Sequence, residues 1–469
     1  MKKPTALFLV FCFTTTLLPH FGHASNQPIV YASQHGAALN SDVYAGGGTD
    51  DTQALQVILD LALTQGRVHL VLDGAARISQ SLKIHSNTTI ECPDRSCGLF
   101  LSDGSNCSLL TNADWDLQTI RNRNITLIGG VYNHNSPGQV HHREEDPQMH
   151  IVSNLVFAME FYGVEHFIMR DVTIANQRTW AMVMANWKYV NMDNIYIDRR
   201  EREDHQNQDG LHFWGPGRFL TIRDIRGNAG DDFIALAPDE HDFKSSIEDV
   251  LIQGVQLEDV DQGIRLLVRG DGKLDRVFIR DVTGTYRSYG FYISPWFTGN
   301  GGHYGNIVFD HVDVRPMKNN YEYTPPFLFK IAGNIENLTL KNIYQHTPEY
   351  NHQLFYIGGH YVRNLPETDE HPNKIDRLII DGLYIDERDP NGVPESYFQL
   401  RSDVGYLSIS NVILQRSQDI PRKGSLIKVI SGTIKELRLL NVTTTGLEKL
   451  MDAKPEEIKS MKIYNIDEL

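Results

Sequence analysis

The chain has 469 residues, with 44 Lys and Arg against 59 Asp and Glu, for a formal charge of −15. That balance excludes a general nucleic-acid binder, which needs a basic face. Beyond the first two dozen residues no run approaches ~18 uninterrupted apolar residues, so no membrane association is expected.

The chain opens on Lys2 and Lys3, then an apolar stretch from Ala6 to Leu18, then the small-residue cleavage context Gly22, His23, Ala24. This is the pattern of a secretory signal peptide over residues 1–24, and it predicts a secreted or periplasmic protein. Residues 25–469 are then expected to form one domain. Cys12 lies in the leader, leaving Cys92, Cys97 and Cys107. In an exported protein Cys92 and Cys97 can close a small disulfide loop or stay as buried thiols; their spacing fits no zinc motif.

The segment "GGGTDDTQALQVILDLALTQGRVHLVLDG" predicts an N-terminal cap over about residues 45–75. Thr49 or Asp50 is the expected helix cap, and "ALQVILDLAL" has amphipathic helical spacing. A short helix here would cover the open end of a solenoid.

From residue 125 one pattern recurs: an apolar alternation, then Asn, Asp or Gly, then a second short alternation. It reads "ITLIGGVY" at Ile125, "FIMRDVTI" at Phe167, "VNMDNIYI" at Val190, "FLTIRDIRG" at Phe219, "VLIQGVQL" at Val250 and "VFIRDVTG" at Val277. It continues at Ile307, Leu338, Leu378, Leu407, Leu437 and Met461. Most intervals run from 23 to 31 residues, for example 219 − 190 = 29 and 307 − 277 = 30. Period-2 strands at a fixed longer spacing mean a solenoid, and the central polar residue marks a left-handed bend. Leucine-rich spacing is missing, and the coils are too short for the four strands of a propeller blade. The expected fold is all-β: a right-handed, single-stranded parallel β-helix of a dozen or so coils with a short N-terminal capping helix.

Within this solenoid the stretch "NQDGLHFWGPGRFLTIRDIRGNAGDDFIALAPDE", Asn207 to Glu240, places Asp209 one coil before Asp231 and Asp232; the separation 231 − 209 = 22 suits one coil. Equivalent turn positions in successive coils lie about 4.8 Å apart. Hydrolysis of a glycosidic bond with inversion needs two carboxyl groups roughly 6.5–9.5 Å apart, which adjacent coils plus side-chain reach can supply. Three acids in one cleft repel, so one keeps its proton near neutral pH and serves as general acid. A lone turn aspartate is ordinarily an Asx turn; it is the combination of "NQDG" and "GDD" in consecutive coils that points to catalysis.

Further candidates surround these acids. Asn207 and His212 flank Asp209, and alternation turns His212 to the same side. Arg265 and Arg269 in "GIRLLVRGDG" are four apart and share a face if the turn preserves the register, making a pocket for a carboxylate or sulfate. Gln262, Tyr292, Trp296 and His303 are candidate substrate contacts, with Trp214 a stacking residue. Flat aromatic rings suit a carbohydrate partner. No cofactor and no metal are expected, and nothing in the pattern sets an oligomeric state.

At this point the chain resembles a known family. "TDDTQALQ" is similar to the opening segment of pectin-lyase-like β-helices. "RTWAMVMANWKYVNMDNIYI", then "NQDG", then "GDDFIAL" resembles glycoside hydrolase family 28, the polygalacturonases, over roughly Thr49 to Val314. The resemblance implies an inverting hydrolase with Asp209, Asp231 and Asp232 at the family's three aspartates. It makes Asp232, the second member of the pair, the general acid. The family next carries a Gly-His-Gly turn, where this chain has Gln262, and then Arg-Ile-Lys, where it has Tyr292 and Ser294. Those basic residues hold the galacturonate carboxylate in the family, so plain polygalacturonate is not the expected substrate. Two rivals stand beside this reading. One is a polysaccharide lyase or epimerase on the same fold, with Arg265 or Tyr292 as base and the aspartates holding calcium. The other is a non-catalytic glycan-binding β-helix.

Overall fold

The computed structural model describes residues 29–142, 155–200, 207–295, 302–318, 326–346, 350–358 and 374–468. The leader assigned to residues 1–24 and Trp296 lie outside the described residues.

The described chain is nearly all β, and every ladder between its strands is parallel. Each strand pairs with its counterpart about one repeat away, as a wound coil requires. The apolar residues of the sequence repeats stand in one column. Ile125, Phe167, Val190, Leu220, Val250 and Val277 are register partners in turn, and Ile307, Leu338, Leu378, Leu407, Leu437 and Met461 continue the column. One repeat sits a residue off its sequence reading: Leu220 joins the column because Phe219 before it takes φ +64°.

All of these side chains are buried except Met461, whose coil has a neighbour on one side only among the described residues. Each buried aliphatic contributes about 1.5–3 kcal/mol. Truncating a mid-column residue such as Leu338 to Ala would cost about 2–5 kcal/mol, because the rigid stack cannot close over the cavity.

The central polar residues form a second column. Asp171, Asn194, Asp224, Asp281, Asn342, Asn411 and Asn441 all have φ between +51° and +59°, and Gly129, Gly254 and Gly382 fill the same place in their repeats. These are the residue types that reach the left-handed region at least cost. Their side chains also link coils: Asn441 Nδ2 donates to Asn411 Oδ1 at 2.9 Å, and Asn465 to Asn441 at 3.0 Å.

A second sheet positions the site. Leu211, Ile234, Ile264, Phe291, Phe329, Phe355 and Phe398 face inward in register, their rings stacking from Phe291 onward. Alternation then turns His212, Ala235, Arg265, Tyr292, Lys330 and Tyr356 to the outer face, one above another.

The cap helix runs Thr52–Leu59 and buries Leu55, Ile58 and Leu59. Gln56 ties it to the coils through both its amide groups and the backbone of Lys83. The residue at the helix start is Asp51, in place of the expected Thr49 or Asp50. Asp51 points backward, accepting the amides of Ala38 and Leu39, so Asp50 takes the Thr52 amide instead. Cys92 and Cys97 are free thiols buried in the core, so the disulfide alternative does not hold. Among the described residues no helix is long and apolar enough to cross a membrane.

Candidate active site

Asp209 precedes the strand Leu211–Trp214, and the Asp231–Asp232 pair opens the strand Asp232–Ala237 on the neighbouring coil. The Gly210 amide donates to the Asp232 carbonyl at 2.9 Å, which sets the two turns against each other. The Asp209 turn needs its glycine because backbone lies against it, whereas the Asp231 turn meets a side chain. A Cβ on Gly210 would lie 2.3 Å from the Phe233 carbonyl, and one on Gly230 would lie 2.0 Å from Arg199 Nη1.

The acids have different surroundings. Asp209 is buried and bonds His212 Nδ1 through Oδ2 at 2.8 Å. His212 Nε2 meets Glu240 Oε2 at 2.7 Å, and Trp214 Nε1 donates to the same oxygen at 2.8 Å. The Trp180 ring lies flat on the imidazole, 3.7 Å between centroids and 3° between planes. Burial opposes charge on His212, but Glu240 and Asp209 outweigh it and hold the imidazolium up to about pH 10. Burial pushes Asp209 upward, and the His212 bond and charge pull it back.

Asp231 accepts a 2.7 Å hydrogen bond from Gln262 Nε2. Burial raises its carboxyl well above the usual range, and the charges of Asp209, Asp232 and Asp261 add to this. Asp232 is raised to about 7, first by burial and then by Asp209, with Arg265 working against both. Its Oδ1 is buried and has no hydrogen-bond partner among the described residues. Arg265 is 3% exposed, with its guanidinium carbon 3.5 Å above the centre of the Tyr292 ring.

These groups enclose a cleft of about 190 Å³ lined by Trp180, Asn207, Asp209, His212, Asp231, Asp232, Glu240, Gln262, Arg265 and Leu267. The cleft brings together a carboxyl that holds its proton to neutral pH and a carboxylate paired with a cation. Such a pair can deliver a proton to one atom while another carboxylate withdraws one from water.

The candidates divide as follows. Asn207, His212, Gln262 and Arg265 line the cleft with the three aspartates. Arg269 does not. The strand ends at Leu266, and the turn that follows breaks the alternation on which a shared face depended. Arg269 instead donates to the Glu240 carbonyl at 3.1 Å and lies over the Phe243 ring. Tyr292 is buried beneath Arg265 and supports it from outside the lining. His303 is exposed and pairs in register with Lys273 and Asn334, on the sheet that carries Ile307, so it belongs to another face.

Three lining residues, Trp180, Glu240 and the apolar Leu267, were not singled out from sequence. Trp180 occupies the turn position of Asp209 one coil earlier: Met182 pairs with Leu211, an offset of 29, and 180 + 29 = 209. That offset was readable from the repeat. Glu240 comes from the loop after a strand, where alternation gives no direction. Among the described residues no group of three or more His, Cys, Asp or Glu side chains is arranged to hold a metal ion.

No protein-family model matches the chain. No curated protein matches it either. Solved structures do. A hyperthermoactive exopolygalacturonase from Thermotoga maritima aligns at 11% identity over 94% of this chain and 91% of its own, with a TM-score of 0.52. A tailspike protein of the Escherichia coli bacteriophage HK620, in complex with a pentasaccharide, aligns at 10% identity over 89% of this chain and 75% of its own, with a TM-score of 0.58. At these identities the likeness is one of fold, the parallel β-helix.

Proposed function

We propose that the protein is an exported glycoside hydrolase that cleaves a polysaccharide or oligosaccharide with inversion. The observation that carries the reading is the cleft itself: three aspartates from neighbouring coils share one cavity in unlike electrostatic settings. Asp232 is the general acid. It keeps its proton to about pH 7, and its unpartnered Oδ1 is the oxygen able to present it. Asp209, paired with cationic His212, is the general base, with Asp231 held beside it by Gln262. Water attacks the anomeric carbon as its proton passes to Asp209. The glycosidic C–O bond breaks, and the Asp232 proton goes to the leaving oxygen. The carbohydrate ligands of proteins sharing this fold agree with a glycan partner, and the leader agrees with export.

Plain polygalacturonate fits this cleft poorly on physical grounds. Gln262 is committed to Asp231, and Arg265 is the one cation among the cleft-lining residues besides His212. A polysaccharide lyase or epimerase is the second reading, favoured by Arg265 lying over Tyr292 beside the acids. Incubation with a panel of neutral and anionic glycans, read by mass, separates the two. Hydrolysis adds one water per cleavage, whereas a lyase product adds none and absorbs in the ultraviolet. A glycan that binds and is returned intact, with its sugar configuration also unchanged, would rule out both.

A further inference from the structure

We propose that Glu240 is a positioning residue that acts through His212, holding it as the imidazolium that orients Asp209 as the base of the cleft. This rests on the hydrolase reading above. The geometry is specific about protons. A neutral imidazole carries one N–H and could satisfy only one acceptor. Here both ring nitrogens of His212 face carboxylate oxygens, at 2.8 Å and 2.7 Å, so the arrangement calls for the imidazolium. The flat Trp180 ring at 3.7 Å adds a face that favours a cation.

Glu240 is itself fixed from several sides. Trp214 Nε1 donates to the oxygen that meets His212, and Arg269 holds the Glu240 carbonyl. Asp239 next to it accepts the amides of Arg269 and Gly270 at 2.8 Å and 2.6 Å, pinning the segment to the turn of the following coil. This gives Arg269 a place in the site different from the anion pocket expected of it.

The charged groups around the chain of contacts are few. His212 faces Asp209 and Glu240 directly, with Asp232 and Arg265 further off. Asp209 faces His212, Glu240, Asp231, Asp232 and Arg265. Glu240 faces His212 and Arg269, with His241 stacked on Trp214 behind it. Of these, Glu240 and Asp209 are the ones that hold His212 charged against burial. Without the Glu240 charge His212 gives up its proton more readily. Asp209 then faces a weaker cation, while the direct push of the Glu240 charge on its own carboxyl is also gone.

The test is Glu240→Gln, which keeps the shape and an acceptor oxygen but removes the charge. Two quantities are read in the full-length protein. The first is the titration of His212 by nitrogen NMR with labelled histidine, its signals assigned by their loss in His212→Gln. The second is the pH profile of kcat/KM on whichever glycan the panel identifies. The His212 transition should fall by at least about one unit, a tenfold change in proton affinity. The acidic limb of kcat/KM should move downward, because the Glu240 charge raises Asp209 directly and His212 is still protonated there, and Glu240→Asp should restore part of both shifts. A His212 titration unchanged in Glu240→Gln overturns the proposal. So does a uniform loss of kcat with no movement of the limb, which is the mark of a merely structural residue. If His212 shifts as expected but no glycan is hydrolysed, the coupling stands and the hydrolase reading fails.

Discussion

Two clusters of buried charge sit on the same solenoid and are built on opposite terms. In the C-terminal coils Arg416 meets Glu387 at 2.8 Å, with side-chain exposures of 1% and 0%. Its other guanidinium nitrogens donate to the Tyr397 hydroxyl and to the carbonyls of Lys423 and Gly446. Tyr397 in turn donates to Glu387. One cation faces one carboxylate, and every guanidinium nitrogen has a partner. In the cleft four carboxyl groups, Asp209, Asp231, Asp232 and Glu240, face two cations, His212 and Arg265. One carboxyl oxygen there has no partner among the described residues. The first arrangement closes three chain segments on one guanidinium. The second keeps charge in excess where burial makes it costly, which is the condition under which a carboxyl holds a proton at neutral pH.

That contrast predicts opposite responses to substitution. Asp209→Asn and Asp231→Asn should each lower turnover by about 10²–10⁴-fold with the fold intact, as measured by initial rates beside circular dichroism. Near-normal activity in both would move the site elsewhere. Arg416→Met should do the reverse. It strands Glu387 without its cation and should cost about 3–5 kcal/mol in denaturant unfolding, while the folded fraction keeps its activity. Loss of activity without loss of stability there would erase the distinction between the two clusters.

Smaller effects sharpen the comparison. Arg265→Ala should reduce kcat/KM on an anionic glycan by about tenfold to a hundredfold, the worth of a charge-assisted contact in a partly dry cleft. Added salt should mimic part of that loss, and a neutral glycan should be affected much less. Equal losses on both, with no salt dependence, would leave Arg265 as a residue that tunes Asp232. The pH profile should be milder still near neutrality. Asp232 must carry its proton to act, so kcat/KM should fall as pH rises above about 7, while His212 remains charged across that range. A rate that climbs steadily from pH 6 to 9 would assign the proton elsewhere.

The coils were legible because each repeat states its own geometry. Val190, Leu338 and Leu437 alternate locally, and Asn194, Asn342 and Asn441 mark the bends by residue type. The three aspartates were legible for the same reason: "NQDG" and "GDD" are short, local, and one coil apart. What escaped depends on geometry between coils. Arg269 lies past the end of its strand, where alternation stops carrying information. Glu240 reaches His212 from a loop whose direction is set by Asp239 and the turn of the next coil. His303 belongs to the other sheet, a distinction that its closeness in sequence to Tyr292 does not make.

The most direct measurement takes activity and stability from the same sample of Asp232→Asn. The folded protein holds the Asp232 proton to about pH 7, whereas an ordinary aspartate releases it near 3.8. As pH rises between those values the unfolded chain gives up its proton first, so folding stability is lost across that window and stays lost above it. Asparagine has no proton to lose. At pH 8 the variant should therefore unfold at higher denaturant, by about 1–4 kcal/mol, while turnover falls at least about 10²-fold. A variant that loses activity and stability together would make Asp232 a structural acid like Glu387, and one that keeps full activity would remove it from the chemistry.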